Sequence, residues 1–471
     1  MNKEKILGFL KEAVSSEKSS LSSENIFGEI GFDQSKCRLG WFIPPDFSLI
    51  EKALSNFLEV AKDKEEFIFV GMGGSINGIK ALISLGEGKN FYTLDSLDPQ
   101  AIEEVLSQIK NPSKTLVISI SKSATTLETQ LISRSLRDFF NNEDNFLWLS
   151  DPSSFEKLDK LNWQKIRRFP IQVNSGEDIG GRFSCPHTLI FLIPLFLIFR
   201  KNLEKLKSFW TNYTAYRNYL IDKAWQEVEK VKLKDELKIF LEINRGNSLG
   251  LSNWIRQLFQ ESLGSKDSFW VKTIVENSKV FLKDFISLDT ELNIEGKFEY
   301  LAGLMYYLQL FIAFLSYYKK INFVNQPYVE VYKKELKNLK ENFPQSLLLS
   351  LEELKDRINN SSFKELEFID CILYFWPSKE LTEKLKNYFS QEFPDKVFSL
   401  FLGSDWNHHS YQSAFKDKKS LYLIVAPFRE RVDSKFLSEE KASENLTTLR
   451  KISYATFKTL EDKALYFSLK I

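Results

Sequence analysis

The first chemistry legible in this 471-residue chain lies in two short stretches rich in glycine and hydroxyl residues. Gly71-Met72-Gly73-Gly74-Ser75 follows an apolar run, Phe67–Val70, and precedes an amphipathic one, Ile76–Leu85. Glycines let the backbone turn sharply and approach a ligand, and the first turn of the next helix offers unpaired N–H groups. Gly74 and Ser75 are the donors such a turn presents. The second stretch, Ser119 to Thr129, holds six hydroxyl residues (Ser119, Ser121, Ser123, Thr125, Thr126 and Thr129) with Lys122 among them. One or two hydroxyls satisfy a helix cap. Six, with a cation, suit a phosphate dianion, which accepts many hydrogen bonds at once. A plain tight turn or a capped helix explains either stretch alone; two at neighbouring strand ends point to a sugar-phosphate pocket.

The elements that must hold these loops alternate. Strands are expected at Phe67–Val70, Phe91–Leu94, Thr115–Ser119 and Phe146–Ser150. Helices are expected at Ile76–Leu85, Pro99–Ile109, Thr126–Phe140 and Ser154–Leu161. This spacing implies a parallel sheet covered on both faces, with ligands at the carboxyl ends of its strands. A helical bridge, Asn202–Val231, leads to a second α/β unit. That unit has a strand at Leu237–Ile243, a turn at Asn244–Gly246, and helices at Asn253–Leu263 and Lys297–Tyr318. A third section runs strand Asp370–Phe375, helix Lys379–Phe389, strand Val397–Phe401 and strand Ser420–Val425. The expected fold is therefore α/β, divided as residues 1–44, 45–202, 203–369 and 370–471. No fixed-period repeat is present.

Bulk composition narrows the function. Apolar residues are 43% and charged residues 27%, a globular balance. The 64 basic and 63 acidic residues leave a formal net charge of +1, spread along the chain. Nucleic-acid and membrane-surface binders concentrate basic charge, so neither partner is expected. Cys37, Cys185 and Cys371 lie far apart with no CxxC, which argues against a zinc site or disulfide framework and for a reducing compartment. The segment Met1–Val14 reads as an amphipathic helix without the apolar core of a signal peptide. The greasiest run, Thr188–Phe199, is 12 residues long and contains Pro194. A span needs about 20 such residues, so a buried helix and a soluble, cytoplasmic protein are expected.

Five ordered motifs resemble those of the glucose-6-phosphate isomerase family. They are Gly71–Ser75, Ser121–Thr129, Gly180-Gly181-Arg182-Phe183-Ser184, Gln257-Leu258-Phe259-Gln260-Glu261-Ser262-Leu263-Gly264 and Asn325-Gln326-Pro327-Tyr328-Val329-Glu330-Val331-Tyr332-Lys333-Lys334. The resemblance implies two sugar-isomerase lobes, each a parallel sheet flanked by helices in a three-layer sandwich, plus the C-terminal α/β section. It also implies a homodimer and no metal or organic cofactor. There is one large departure. The family's His-Ser motif lies between the glutamate and lysine segments, and here residues 261 to 333 contain no histidine. His408-His409-Ser410-Tyr411-Gln412 comes later, after Asp370–Pro377, an order that resembles the isomerase half of fused transaldolase–isomerase proteins. Smaller departures are Ala124, where glycine or a bulky residue is common, Tyr328 in place of glycine, and Ser265, which interrupts Gly-Lys.

Aldose–ketose isomerisation moves a proton between C2 and C1 through a cis-enediolate, and one base over both carbons can do it. The resemblance assigns that base to Glu261. Leu258, Phe259 and Leu263 nearby would raise a carboxylate's pKa toward neutrality. Gln257, one helical turn earlier, shares its face and can orient the sugar or the glutamate. The enediolate needs a cation that keeps its proton; Arg182, after two glycines, suits this. Opening the sugar ring falls by resemblance to Lys333 with His408 or His409. His409 directly precedes the serine, whereas His408 keeps a four-residue spacing to Gln412. His187, beside Pro186 at the start of an apolar helix, reads as structural. Each candidate also has a plain reading, as a surface glutamate, a salt-bridging arginine or a helix-face lysine. The reaction indicated is glucose 6-phosphate to fructose 6-phosphate, within glycolysis and gluconeogenesis. Dual phosphoglucose/phosphomannose isomerase activity and a non-catalytic sugar-phosphate sensor are the alternatives. A dinucleotide site is disfavoured because Gly71–Gly74 lacks GxGxxG spacing.

Overall fold

Short runs of aromatic and β-branched residues, punctuated by glycine, proline and charge, build parallel sheets in the chain. The structure is a computed structural model that describes residues 2–15, 30–33, 36–86, 90–234, 236–243, 248–264, 270–276, 285–339, 343–428 and 434–470. The turn expected at Asn244–Gly246 and the position of Ser265 lie outside the described residues. Strands β1 (Phe32–Asp33) and β2 (Lys36–Cys37) form a small antiparallel pair. The first large sheet comprises β3 (Glu66–Val70), β4 (Phe91–Leu94), β5 (Thr115–Ile120), β6 (Phe146–Ser150) and β7 (Arg167–Pro170), in the order β4-β3-β5-β6-β7. Its pairings β3–β5, β5–β6 and β6–β7 are parallel. A second, three-stranded parallel sheet has the order β10-β8-β9, from β8 (Glu236–Glu242), β9 (Trp270–Glu276) and β10 (Ile286–Ser287). The third comprises β11 (Leu347–Leu349), β12 (Phe368–Leu373), β13 (Val397–Leu402), β14 (Ser420–Val425) and β15 (Ala464–Leu469). It is parallel throughout, in the order β11-β15-β14-β12-β13. Every residue of β3, β5, β6, β12 and β14 is buried, as a sheet covered on both faces requires.

The chain divides into two compact units. One holds Met1–Thr93, Asn111–Gln130 and Asn142–Gln326; the other holds Leu94–Lys110, Leu131–Asn141 and Pro327–Ile471. The first unit is organised around the helix Lys297–Lys319, buried along nearly its whole length. Among the described residues it is the one helix long and apolar enough to cross a membrane, and its faces are covered by protein. Its polar atoms find partners inside the core: Tyr306 and Tyr317 donate to the carbonyls of Phe42 and Ile30, and Gln309 to that of Cys185. Thr188–Phe199, expected to be the greasiest run, is the shorter apolar helix Leu189–Ile198, with Pro194 inside it. In the second unit, Leu354, Leu373, Leu385, Phe389 and Leu423 form part of a separate core.

The expected and observed elements differ where pattern is weakest. Strand β7 carries Arg167 and Arg168 and ends in Pro170; its place at the sheet edge tolerates all three. The bridge 202–231 is two helices, Leu203–Ala215 and Arg217–Val231. The expected helix Asn253–Leu263 is an α-helix, Leu249–Arg256, followed by a π-helical turn, Gln257–Glu261.

Candidate active site

Three loops of the first unit meet at the glycine turn. Gly73 takes φ +52°, a left-handed conformation that glycine adopts without a Cβ penalty. A Cβ on Gly74 would lie 2.4 Å from the Gly181 carbonyl oxygen and 2.8 Å from the Arg182 nitrogen. A Cβ on Gly71 would lie 3.3 Å from the Ile120 oxygen, where β5 runs into the hydroxyl-rich loop. The absence of side chains thus lets residues 71–75 touch both the 120–126 loop and the Gly180-Gly181-Arg182 turn. Behind them, a Cβ on Gly250 would lie 2.3 Å from the Lys80 Cβ, so Leu249–Arg256 packs directly on the helix Asn77–Leu85.

That close packing delivers Glu261 to Arg182. The Arg182 Nη1 lies 3.3 Å from Glu261 Oε1, with side-chain exposures of 2% and 5%. Arg182 Nε donates to Ser262 Oγ at 2.8 Å, and Nη2 donates to the Phe323 carbonyl at 2.6 Å. Gln257 Nε2 donates to Glu261 Oε2 at 2.8 Å. Both carboxylate oxygens are therefore held, and the guanidinium is fixed along its whole fork. Burial pulls Arg182 below the usual guanidinium range while the Glu261 carboxylate opposes that shift. Single π-helical turns recur at functional sites, and this one carries Gln257 and Glu261 at its two ends.

The hydroxyl loop is partly self-satisfied. Ser121 Oγ lies 3.0 Å from Thr126 Oγ1, and Ser123 Oγ lies 2.7 Å from Thr125 Oγ1. Ser123 and Thr125 are exposed, Ser75 and Thr126 half-buried, and Ser121 buried. Ala124 takes φ +55°, where a residue with a Cβ is strained by roughly 1 kcal/mol. Lys122 donates to the Ile179 carbonyl and pairs with Asp151 at 3.5 Å, tying the loop to the segment that enters Gly180. Its pKa is lowered, chiefly by burial. Burial likewise pushes Asp151 up to about 6 against the pull of Lys122.

The remaining candidates lie in the second unit. Lys333 sits on the helix Val329–Asn338 and pairs with Glu330 at 2.8 Å, the two side chains being 40% and 71% exposed. His408 is half-buried, and His409 is enclosed, its Nδ1 2.6 Å from Ser410 Oγ and its Nε2 3.8 Å from Asp405 Oδ2. The lysine and histidine segments pack on each other: the Tyr328 ring stacks on Phe415, Tyr332 meets Tyr411 edge-on, and Tyr328 N donates to Gln412 Oε1 at 3.1 Å. The late His-Ser stretch thus lies beside the lysine motif in space. His187 is buried between the Trp41 carbonyl (2.6 Å) and the Tyr213 hydroxyl (2.7 Å), and burial pulls its pKa down to about 3.

Three sequence motifs and one buried ion pair now stand together, and the first three can be compared with known proteins. Residues 56–208 match the phosphoglucose isomerase family model. The matched stretch contains Gly71–Ser75, Ser121–Thr129 and Arg182; Glu261 lies beyond it. Among curated relatives, the glucose-6-phosphate isomerase of Prochlorococcus marinus subsp. pastoris is 26% identical over 248 residues, 46% of this chain and 44% of its own length. That of Mycoplasmoides gallisepticum is 25% identical over 292 residues, 55% of this chain and 64% of its own. The chain thus spans less than two thirds of either relative. A solved glucose-6-phosphate isomerase from Chlamydia trachomatis is 17% identical and covers 70% of this chain and 84% of its own, with a TM-score of 0.48.

Ser262 was not singled out by its sequence. In a regular helix it points well away from Glu261, and only the length of the arginine fork lets one side chain hold both. Among the described residues, no three His, Cys, Asp or Glu side chains gather as a metal site.

Proposed function

We propose that the chain is a glucose-6-phosphate isomerase, interconverting glucose 6-phosphate and fructose 6-phosphate without a metal or organic cofactor. The observation that carries this is the buried Arg182–Glu261 pair, held beside a glycine turn that is flanked by hydroxyl-bearing residues. The phosphate would be gripped by the backbone at Gly74 and by Ser75, Ser121, Ser123, Thr125 and Thr126. Lys122 would fix that loop and add positive charge behind it. Glu261 would remove the proton from C2 and return it to C1, with Gln257 keeping one carboxylate oxygen oriented. As the carboxylate takes up the proton its charge passes to the enediolate oxygens, and Arg182, already desolvated, would stabilise them there. Ring opening is assigned to Lys333 with His408 or His409. We place the protein in the cytoplasm as a homodimer.

The test is a coupled assay on fructose 6-phosphate and mannose 6-phosphate in the presence of chelator. Glu261→Gln keeps an oxygen acceptor for Arg182 and removes the base. It is expected to lower turnover by roughly 10²–10⁴-fold while sugar-phosphate binding persists. Near-normal turnover in that variant rules out the assigned base. Mixing Glu261→Gln with a His408→Ala, His409→Ala variant separates the two ring-opening arrangements. Activity regained in the mixture means that the histidine acts from a partner subunit.

A further inference from the structure

A cavity of the second unit has neither Lys333 nor the histidines in its lining. Its volume is about 820 Å³, within the range of small-molecule sites. Topology explains its position. The chain leaves β12 toward β13 on one side and leaves the adjacent β14 toward β15 on the other. The loops after these neighbouring strands therefore diverge at their carboxyl ends, the place where open parallel sheets take ligands.

The walls specify what fits. Phe375, Trp376 and Pro377 follow β12, and Pro427 and Phe428 follow β14. Phe428 is 61% exposed, a large apolar surface. Trp376 is fixed as a plate: its backbone nitrogen donates to Asp98 Oδ2 and its indole Nε1 to Glu104 Oε2, each at 2.7 Å. The other Asp98 oxygen accepts from Gln100 N at 2.8 Å. The carboxylates of the lining are thus engaged with its own wall. Lys379 and Lys470 also line the cavity, and neither joins a salt bridge among the described residues. A free sugar phosphate would meet apolar walls with its hydroxyls unpaired. A flat ring can lie against Trp376 and Phe428 while an anionic group faces the two lysines.

We infer that this cavity is a second ligand site, for a planar heteroaromatic anion of the mononucleotide class. The probe is adenosine monophosphate, titrated calorimetrically and by saturation-transfer NMR into the full-length chain. Adenosine (ring without charge) and ribose 5-phosphate (charge without ring) serve as comparators. Only binding altered by the Lys379→Glu/Lys470→Glu double variant or by Trp376→Ala is ascribed to the cavity, which separates it from any sugar-phosphate binding elsewhere. The expected result is saturable binding of adenosine monophosphate, weakened about 10-fold or more by the double variant, with adenosine binding unaffected by it. Trp376→Ala should weaken both ring-bearing probes. Three outcomes overturn the inference. These are no saturable signal at millimolar probe, affinity within about twofold of the parent in the double variant, or ribose 5-phosphate matching adenosine monophosphate in the binding that the double variant removes.

Discussion

Arg182–Glu261 and Lys333–Glu330 are both cation–carboxylate pairs, at 3.3 and 2.8 Å, and the longer one matters more. The first has side chains only 2% and 5% exposed and three further hydrogen bonds around it, from Gln257 and to Ser262 and Phe323. The second lies on an exposed helix face, three residues apart. Water screens the second pair and can replace either partner. In the first, burial removes that screening, so losing either partner leaves a charge desolvated. Distance alone ranks the pairs wrongly; surroundings rank them correctly.

The strongest way to break this comparison is to unpair the buried carboxylate. Arg182→Met removes a buried counter-charge of Glu261 and is expected to cost about 3–5 kcal/mol, read as a lowered denaturant midpoint of the first unit. Arg182→Met combined with Glu261→Met should recover much of that loss, since no lone charge then remains buried. A single variant within about 1 kcal/mol of the parent would mean that burial does not set the pair's weight.

Next in size is the backbone contact that lets Arg182 reach the site. Gly74→Ala puts a Cβ 2.4 Å from a backbone carbonyl that cannot swing aside. Such overpacking costs typically about 1–3 kcal/mol. Gly181→Ala is the control, because nothing lies within 4 Å of its added Cβ. Equal stability of the two variants would show that the glycine turn and the arginine turn are not in contact.

How much of this was legible beforehand follows from the residues themselves. Strands Phe91–Leu94, Phe146–Ser150 and Ser420–Val425 fall where the apolar runs place them, because polar residues or, after Val425, a proline bound each run. The helix Glu439–Thr459 and strand β15 escaped, since the helix mixes Ser and Thr into its stripe and carries no strong end signal beyond Ser438. Strand β9 escaped because Lys272 and Thr273, both buried in the fold, split its apolar residues into two short pairs. Within the site, the four-residue spacing of Gln257 and Glu261 announced their contact. The π-helical turn and the reach of Arg182 to Ser262 had no counterpart in local pattern, being products of helix Leu249–Arg256 packing on Asn77–Leu85.

A smaller, pH-dependent effect separates Asp151 from ordinary surface carboxylates. Burial pushes its pKa from an ordinary 3.8 up to about 6, so between those values the folded chain holds a proton that the unfolded chain has lost. The stability it contributes is full below pH 4 and is lost as pH rises through about 6. Asp151→Asn should flatten the parent's stability curve across that window. A difference curve that instead climbs with pH would place Asp151 among the carboxylates stabilised by their partners, as Asp159 is by Arg168.

The smallest structural effect is expected at the exposed pair, and there it sharpens the functional contrast. Lys333→Ala removes a helix-surface ion pair and should change stability by no more than about 0.5 kcal/mol. If Lys333 opens the sugar ring, the same substitution lowers turnover on the cyclic substrate while the unfolding curve stays in place. Proton exchange at C1 of substrate already in the open-chain form, which needs only Glu261, would be spared. An unchanged unfolding curve with unchanged turnover would return Lys333 to the role its geometry already shows, a solvated partner of Glu330. Because Arg182 is buried and Lys333 is partly open to water, one loses fold and chemistry together when replaced, and the other can lose only chemistry.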